Sequence, residues 1–221
     1  MIPLRDINPS RSFPLITSLI IGGNVWFFLQ YYTDTEAFSE ALLDLGYIPA
    51  EPFSLTKAFT SMFMHGSWGH LIFNMWALWV FGDNVEDVLG KIWYGIVYFA
   101  SGLVALMTHA YLYSESLVPV VGASGAISGI MGAYLTLFPR AKILAYIPPL
   151  FFQMISARFF LVLWFILQLL QGVIDKLSNW VSGETGGIAF WAHIGGFAGG
   201  WLLSQLARPS PSEVDRWDYL R

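Results

Sequence analysis

Hydrophobic positions in this chain fall into long blocks separated by short polar stretches. Residues 13–32, 62–82, 92–113, 117–139 and 186–207 contain no Asp, Glu, Lys or Arg, and 159–174 form a sixth, shorter run. A helix needs roughly 20 residues to cross the hydrocarbon core of a bilayer. Five of the runs meet that length, and the sixth reaches it with help from its flanks at 154–158 and 175–177. The pattern predicts six membrane-spanning helices, at about 13–32, 65–82, 91–113, 123–139, 157–177 and 187–207. The expected fold class is an all-α polytopic membrane protein, a compact bundle of six transmembrane helices. Its membrane domain covers 13–207, between an N-terminal segment 1–12 and a tail 208–221. Residues 33–60 are expected to form an external loop, with apolar patches (Ala41-Leu42-Leu43, Phe53) suited to the membrane interface.

Composition agrees with a bilayer as solvent. Hydrophobic residues make up 56% and charged residues 12%, and mean hydropathy is +0.57. Of the eleven Lys and Arg, nine fall on the side of the two termini and only Lys57 and Lys176 on the other. The positive-inside rule then makes both termini cytoplasmic, and we expect an integral protein of a prokaryotic plasma (inner) membrane. The segment 13–32 is as long as a full span and reads as a retained first helix, not a cleaved signal. A net charge of −4 with no basic stripe argues against a nucleic-acid partner. The absence of cysteine excludes disulfides, thiolate chemistry and cysteine zinc sites.

Against this apolar background a few polar residues stand out. The second, fourth and sixth predicted helices run in the same direction, and each carries its unusual polar residues near its start. His65, His70 and Asn74 open the second, Ser124 opens the fourth in Gly122-Ala123-Ser124-Gly125, and His193 follows Gly186 by seven residues in the sixth. At 1.5 Å per residue, His193 lies roughly 10 Å below the outer surface. Ionisable groups inside a membrane face one another or a water-filled cavity. Ser124 beside His193 is a candidate activated nucleophile and base. His70 and Asn74, four apart, share a helical face and offer hydrogen-bond donors. The start of the fourth helix adds free backbone N–H groups, so the donors of an oxyanion hole are present. Gly122, Gly125, Gly129 and Gly132, with Gly196 and Gly200, allow the fourth and sixth helices to approach closely. No acid accompanies His193 in its helix; a triad would have to borrow a loop acid such as Glu184, and a Ser-His dyad is favoured. His109 reads as an interfacial residue. Gln168 and Gln171 could line a cavity, but inter-helix hydrogen bonding is the favoured reading for them, and for Asn24 and Thr108 likewise.

These residues resemble the motifs of the rhomboid intramembrane serine proteases, from about Thr56 to Gly200. His65-x4-His70-x3-Asn74, Gly122-Ala123-Ser124-Gly125 and His193-x2-Gly196-x3-Gly200 resemble the family's second-, fourth- and sixth-helix motifs, in order. The stretch from Phe81 to Asp87, followed by Gly90, is also similar. The resemblance implies that Ser124 is the nucleophile and His193 the general base and acid. It implies that His70, Asn74 and the Ser124 N–H hold the oxyanion, that His65 supports them, and that Glu86 is structural. It further implies cleavage of transmembrane protein substrates near the outer face, without metal, ATP or organic cofactor. The region from about Leu177 to Gly187 would act as a cap and the fifth helix as a side gate. Two positions depart from the family pattern: Thr56-Lys57 stands where many members carry Trp-Arg, and Ser128 stands where some carry a Tyr stacked on the histidine. The competing classes are a non-catalytic membrane chaperone that binds helices, and a transporter or haem protein using membrane histidines. Retained Ser124 and His193 argue against the first. His65 and His70, five apart, share no helical face, and no inverted repeat is visible, which argues against the second.

Overall fold

The computed structural model describes residues 1–182 and 189–207. Helices dominate: α1 (Leu15–Tyr31), α2 (Thr35–Leu45), α3 (Leu55–Thr60), α4 (Trp68–Leu112), α5 (Ser124–Leu137), α6 (Ala157–Ser182) and α7 (Phe190–Leu206). The 45-residue α4 is two helical segments meeting at Gly90, whose φ of 73° and ψ of 163° reverse the chain where L side chains are strained. Two of the helices, α4 and α6, are long and apolar enough to cross a membrane. Ile72, Phe73, Trp76 and Trp79 on α4, and Ile166, Leu170 and Ile174 on α6, point outward. So broad an apolar surface suits lipid and not water.

At the centre stands α5. Every residue from Gly125 to Tyr134 is buried, the pattern of a helix surrounded on all sides. Its closest neighbour is α7. A Cβ built on Gly196 would strike the backbone carbonyl of Gly125, and one on Gly200 would strike that of Gly129. The two backbones therefore touch directly, as small residues permit in a membrane. This contact sets the spacing between the elements that carry Ser124 and His193.

The fold differs from the all-α expectation. Residues Ile2–Asp6 (β1), Lys142–Ile147 (β2) and Phe151–Ser156 (β3) form an antiparallel sheet in the order β1-β2-β3. In β2, Ile143 and Ala145 are fully buried between more exposed neighbours, the period of a half-buried strand. The alternation is only a few residues long and lies between much stronger helical runs, which is why it reads as loop. The sheet is tied to the bundle by polar contacts. Tyr134 Oη donates to Asp6 Oδ2 at 2.6 Å, Asn84 Nδ2 donates to the same oxygen at 2.8 Å, and Asn8 Nδ2 donates to Tyr134 Oη at 3.0 Å. Burial, with Asp83 nearby, pushes the Asp6 carboxyl up to about 7.

The segment predicted as a loop over 33–60 holds α2 and α3. Asp34 caps α2 by accepting from the N–H groups of Glu36 and Ala37, and Ser54 caps α3 by accepting from that of Lys57. Lys57, at one of the two departing positions, anchors the segment through Glu51 at 2.8 Å and Leu43 O at 3.2 Å. Glu86 is almost wholly buried and caps α1 from a distance. Its carboxylate accepts from the N–H groups of Ile16 and Thr17 and from Thr17 Oγ1 at 2.8–2.9 Å. Pro14, at the N-cap of α1, has no side-chain acceptor to offer, so the carboxylate satisfies donors that would otherwise be orphaned in an apolar surrounding. The proposed tail 208–221, Glu184 and residues 183–187 of the expected cap lie outside the described residues, while the first part of that cap, up to Ser182, is the end of α6.

Candidate active site

Ser124 is the first residue of α5, and the chain ahead of it is held in place from two sides. Tyr47 and Val120 exchange backbone hydrogen bonds at 3.1 and 2.7 Å, and Gly122 N donates to Ser61 O at 2.9 Å. Gly122 has a φ of 119°, and a Cβ there would lie 2.6 Å from His70 Cε1. A glycine is thus required on two grounds at once: backbone conformation and room for the imidazole.

His193, in the first turn of α7, meets Ser124 with Nε2 2.8 Å from Oγ. The sequence-predicted pair is therefore in hydrogen-bond contact across 69 residues of chain. The other ring nitrogen, Nδ1, lies 2.7 Å from Oε1 of Gln168 on α6. A carbonyl oxygen only accepts, so Nδ1 carries the proton and Nε2 is free to accept the Ser124 hydroxyl. The Trp164 ring, one turn before Gln168, lies 6.0 Å from the imidazole centroid at 34°. The sequence pattern assigns Gln168 to inter-helix hydrogen bonding. The bond exists, but its partner is His193, a pairing that only helix packing reveals. Ser128 turns away from the imidazole, donating to Ser124 O at 2.7 Å.

The predicted donors gather on the opposite wall. His65 lies in the turn before α4, not inside it, because Ser67 caps the helix by accepting from His70 N at 3.2 Å. His65 is fully buried. Its Nε2 accepts from Asn74 Nδ2 at 2.9 Å while Nδ1 faces Phe63 O at 3.4 Å. One amide hydrogen of Asn74 is thereby engaged and its orientation set, leaving the second available. The His65 and His70 rings meet edge-on at 4.9 Å. Ser124, His193, His70 and Asn74 line one cavity of about 490 Å³. His109, expected at the interface, lines it too and stacks on Tyr113, whose hydroxyl donates to Asp175 Oδ2 at 2.6 Å. The first-turn N–H groups of α5 have no side-chain cap and no intrahelical acceptor. A hydroxyl–imidazole pair beside unclaimed donors is able to support acyl transfer.

A family model described as the Rhomboid domain matches residues 52–210, and the chain belongs to the rhomboid family. The Rhomboid protein 1, mitochondrial, of Saccharomyces cerevisiae is 33% identical over 128 residues, 56% of this chain and 34% of that protein. The Presenilin-associated rhomboid-like protein A, mitochondrial, of Danio rerio is 30% identical over 103 residues, 44% of this chain and 27% of that protein. A putative rhomboid protease of Bacillus subtilis is 34% identical over 79 residues, 36% of this chain and 39% of that protein. The chain thus spans between about a quarter and two fifths of the length of these relatives.

These names correct the expected location. The relatives from yeast and zebrafish are mitochondrial by name, as are others from Arabidopsis thaliana and Bos taurus. They overturn the expectation of a prokaryotic plasma membrane with cytoplasmic termini. The physical reason for the error is plain: a Lys and Arg bias separates two faces of a membrane but does not say which membrane it is.

Proposed function

We propose that this protein is an intramembrane serine endopeptidase working through a Ser124–His193 dyad. The observation that carries the reading is the 2.8 Å contact between Ser124 Oγ and His193 Nε2 inside an apolar helical protein. In this mechanism His193 Nε2 takes the Ser124 proton as Oγ attacks the scissile carbonyl. His70, the free amide hydrogen of Asn74 and the Ser124 N–H hold the negative oxygen. His193 then gives its proton to the leaving amine, and an acyl-enzyme remains. Water from the cavity, deprotonated by His193, releases the acid product. No metal or organic cofactor has a role in this sequence.

The membrane domain is assigned to 13–207, with six crossings: α1, the two halves of α4, α5, α6 and α7. At 14 residues, α5 is only about 21 Å long, shorter than the hydrocarbon core of about 30 Å. Its first residue therefore lies inside the membrane, at the floor of the cavity. Substrates would be transmembrane protein segments that unwind to reach Ser124. A helix-binding relative without catalysis needs neither the aligned Ser-His pair nor the unclaimed donors.

Labelling of the full chain in detergent with a fluorophosphonate probe tests the assignment. Wild type should label, while Ser124→Ala and His193→Ala should not. For the same variants, cleavage of a transmembrane substrate should fall by a factor on the order of 10⁴ or more. Labelling that survives Ser124→Ala would sink the proposal.

A further inference from the structure

The Nδ1 side of His193 raises a question that the dyad leaves open. A base that must accept a proton at Nε2 needs Nδ1–H held by an acceptor, or the imidazole samples the wrong tautomer and orientation. The α7 helix itself, Phe190–Leu206, contains no Asp or Glu. Ser128 is committed to Ser124 O. What faces Nδ1 comes from a different helix: Gln168 Oε1, at 2.7 Å. Trp164, four residues earlier on the same face of α6, covers the ring. A neutral amide suits this depth, because an acceptor without net charge costs far less to hold in an apolar protein interior than a carboxylate would.

We infer that Gln168 is the positioning residue of the dyad: its carbonyl fixes the Nδ1–H tautomer of His193 and aims Nε2 at Ser124, while Trp164 limits rotation of the ring. The inference rests on the Ser124–His193 reading and adds a third member, supplied by α6. Gln168 does not touch the reacting atoms. Its removal should therefore lower kcat and leave KM nearly unchanged.

The test uses the full chain in micelles, a transmembrane substrate, and the variants Gln168→Leu and Gln168→Glu. Gln168→Leu keeps the bulk and removes the acceptor; kcat should fall roughly 10- to 100-fold, the scale seen when a histidine's outer partner is lost. Imidazole ¹⁵N spectra should show one Nδ1–H tautomer at His193 in wild type and a mixture in Gln168→Leu. Gln168→Glu restores an acceptor and adds negative charge; it should recover activity and move the acid limb of the kcat/KM profile to higher pH. A moved limb shows only that position 168 faces His193, so the positioning role is read from kcat and the tautomer spectra, with Gln168→Met replacing Gln168→Leu if the latter does not fold. Wild-type kcat in Gln168→Leu, or a wild-type acid limb in Gln168→Glu, overturns the role of Gln168. Absence of Ser124-dependent labelling in the wild type instead overturns the dyad itself, so the two failures are distinguishable.

Discussion

The second wall of the cavity sets a requirement at the scale of single residues. Asn74 is useful as a donor only while its amide is held, and the holder is a histidine sealed from solvent, His65, through a 2.9 Å bond. This explains how a buried imidazole outside the helix serves a site it does not line. Asn74→Ala should reduce kcat by about 10²–10³, the usual loss for one oxyanion donor, with little change in KM. Steady-state cleavage of a transmembrane substrate measures it, and an unaltered kcat would remove Asn74 from the mechanism. His65→Leu should give a smaller loss in the same direction, since the donor remains but is no longer aimed. Ser124, His193, His70 and Asn74 were legible in the sequence because polar groups are expensive in apolar helices and stand out there. Gln168 was not, because a glutamine on a lipid-depth helix has the same sequence appearance whether it meets a backbone carbonyl or an imidazole.

Helix contact and sheet docking fail in different ways. The α5–α7 contact is backbone on backbone, so even one added methyl group at Gly200 collides with the Gly129 carbonyl. Gly200→Ala should force the helices apart and cost about 1–3 kcal/mol by overpacking, read as a lower thermal midpoint in detergent together with slower labelling of Ser124. Glycine spacing made this contact readable in advance. The sheet was not readable, since three strands of five or six residues carry too little periodicity to compete with 20-residue apolar runs. Its docking has a pH signature instead. The Asp6 carboxyl, held near 7 chiefly by burial, keeps its proton in the docked state at pH values where a free strand would have lost it. Docking is therefore strongest below the ordinary carboxylate range, weakens as pH rises toward 7, and levels off above it. Amide exchange of residues 2–6, corrected for intrinsic rates, should show opening that increases from pH 5 to 7.5 in wild type. Asp6→Asn should flatten that dependence; a flat wild-type profile would mean that Asp6 does not titrate on undocking.

Across the whole molecule, the two halves of the candidate site belong to parts with different freedom to move. Ser124, His70 and Asn74 sit on α5 and α4, which form the packed centre. His193 sits on α7, locked to α5 by Gly196 and Gly200. Gln168 and Trp164 alone come from α6, which packs less closely on its neighbours than α5 or α7 and turns much of its length outward. Near its start Phe160 and Leu161 are buried, and Phe160 faces Phe81 of α4 at 6.2 Å. Farther along, Leu170, Ile174 and Leu177 are largely exposed. That far half is nevertheless tied to the bundle, Asp175 Oδ2 accepting from Tyr113 Oη at 2.6 Å and Gly172 O from Trp191 Nε1 at 3.2 Å, so α6 would serve as a side door for a transmembrane segment only by breaking these contacts. Movement of α6 also withdraws Gln168 from His193, so the open state would admit substrate with a less well-aimed base, and closure would restore the alignment. The chain has no cysteine, and the Cα atoms of α6 and α4 lie more than 8 Å apart, too far for a disulfide, so a pair introduced on α6 and the first half of α4 and joined by a reducible bifunctional thiol reagent gives an unambiguous cross-link. Closing that link should suppress cleavage of a transmembrane substrate by at least about tenfold, a difference near 1.4 kcal/mol. A small fluorophosphonate enters from the aqueous cavity, so its labelling of Ser124 should persist in the linked protein, and reduction of the link should restore cleavage. Equal loss of both activities would place the effect on the dyad and not on entry. Unchanged cleavage would rule out α6 as the door.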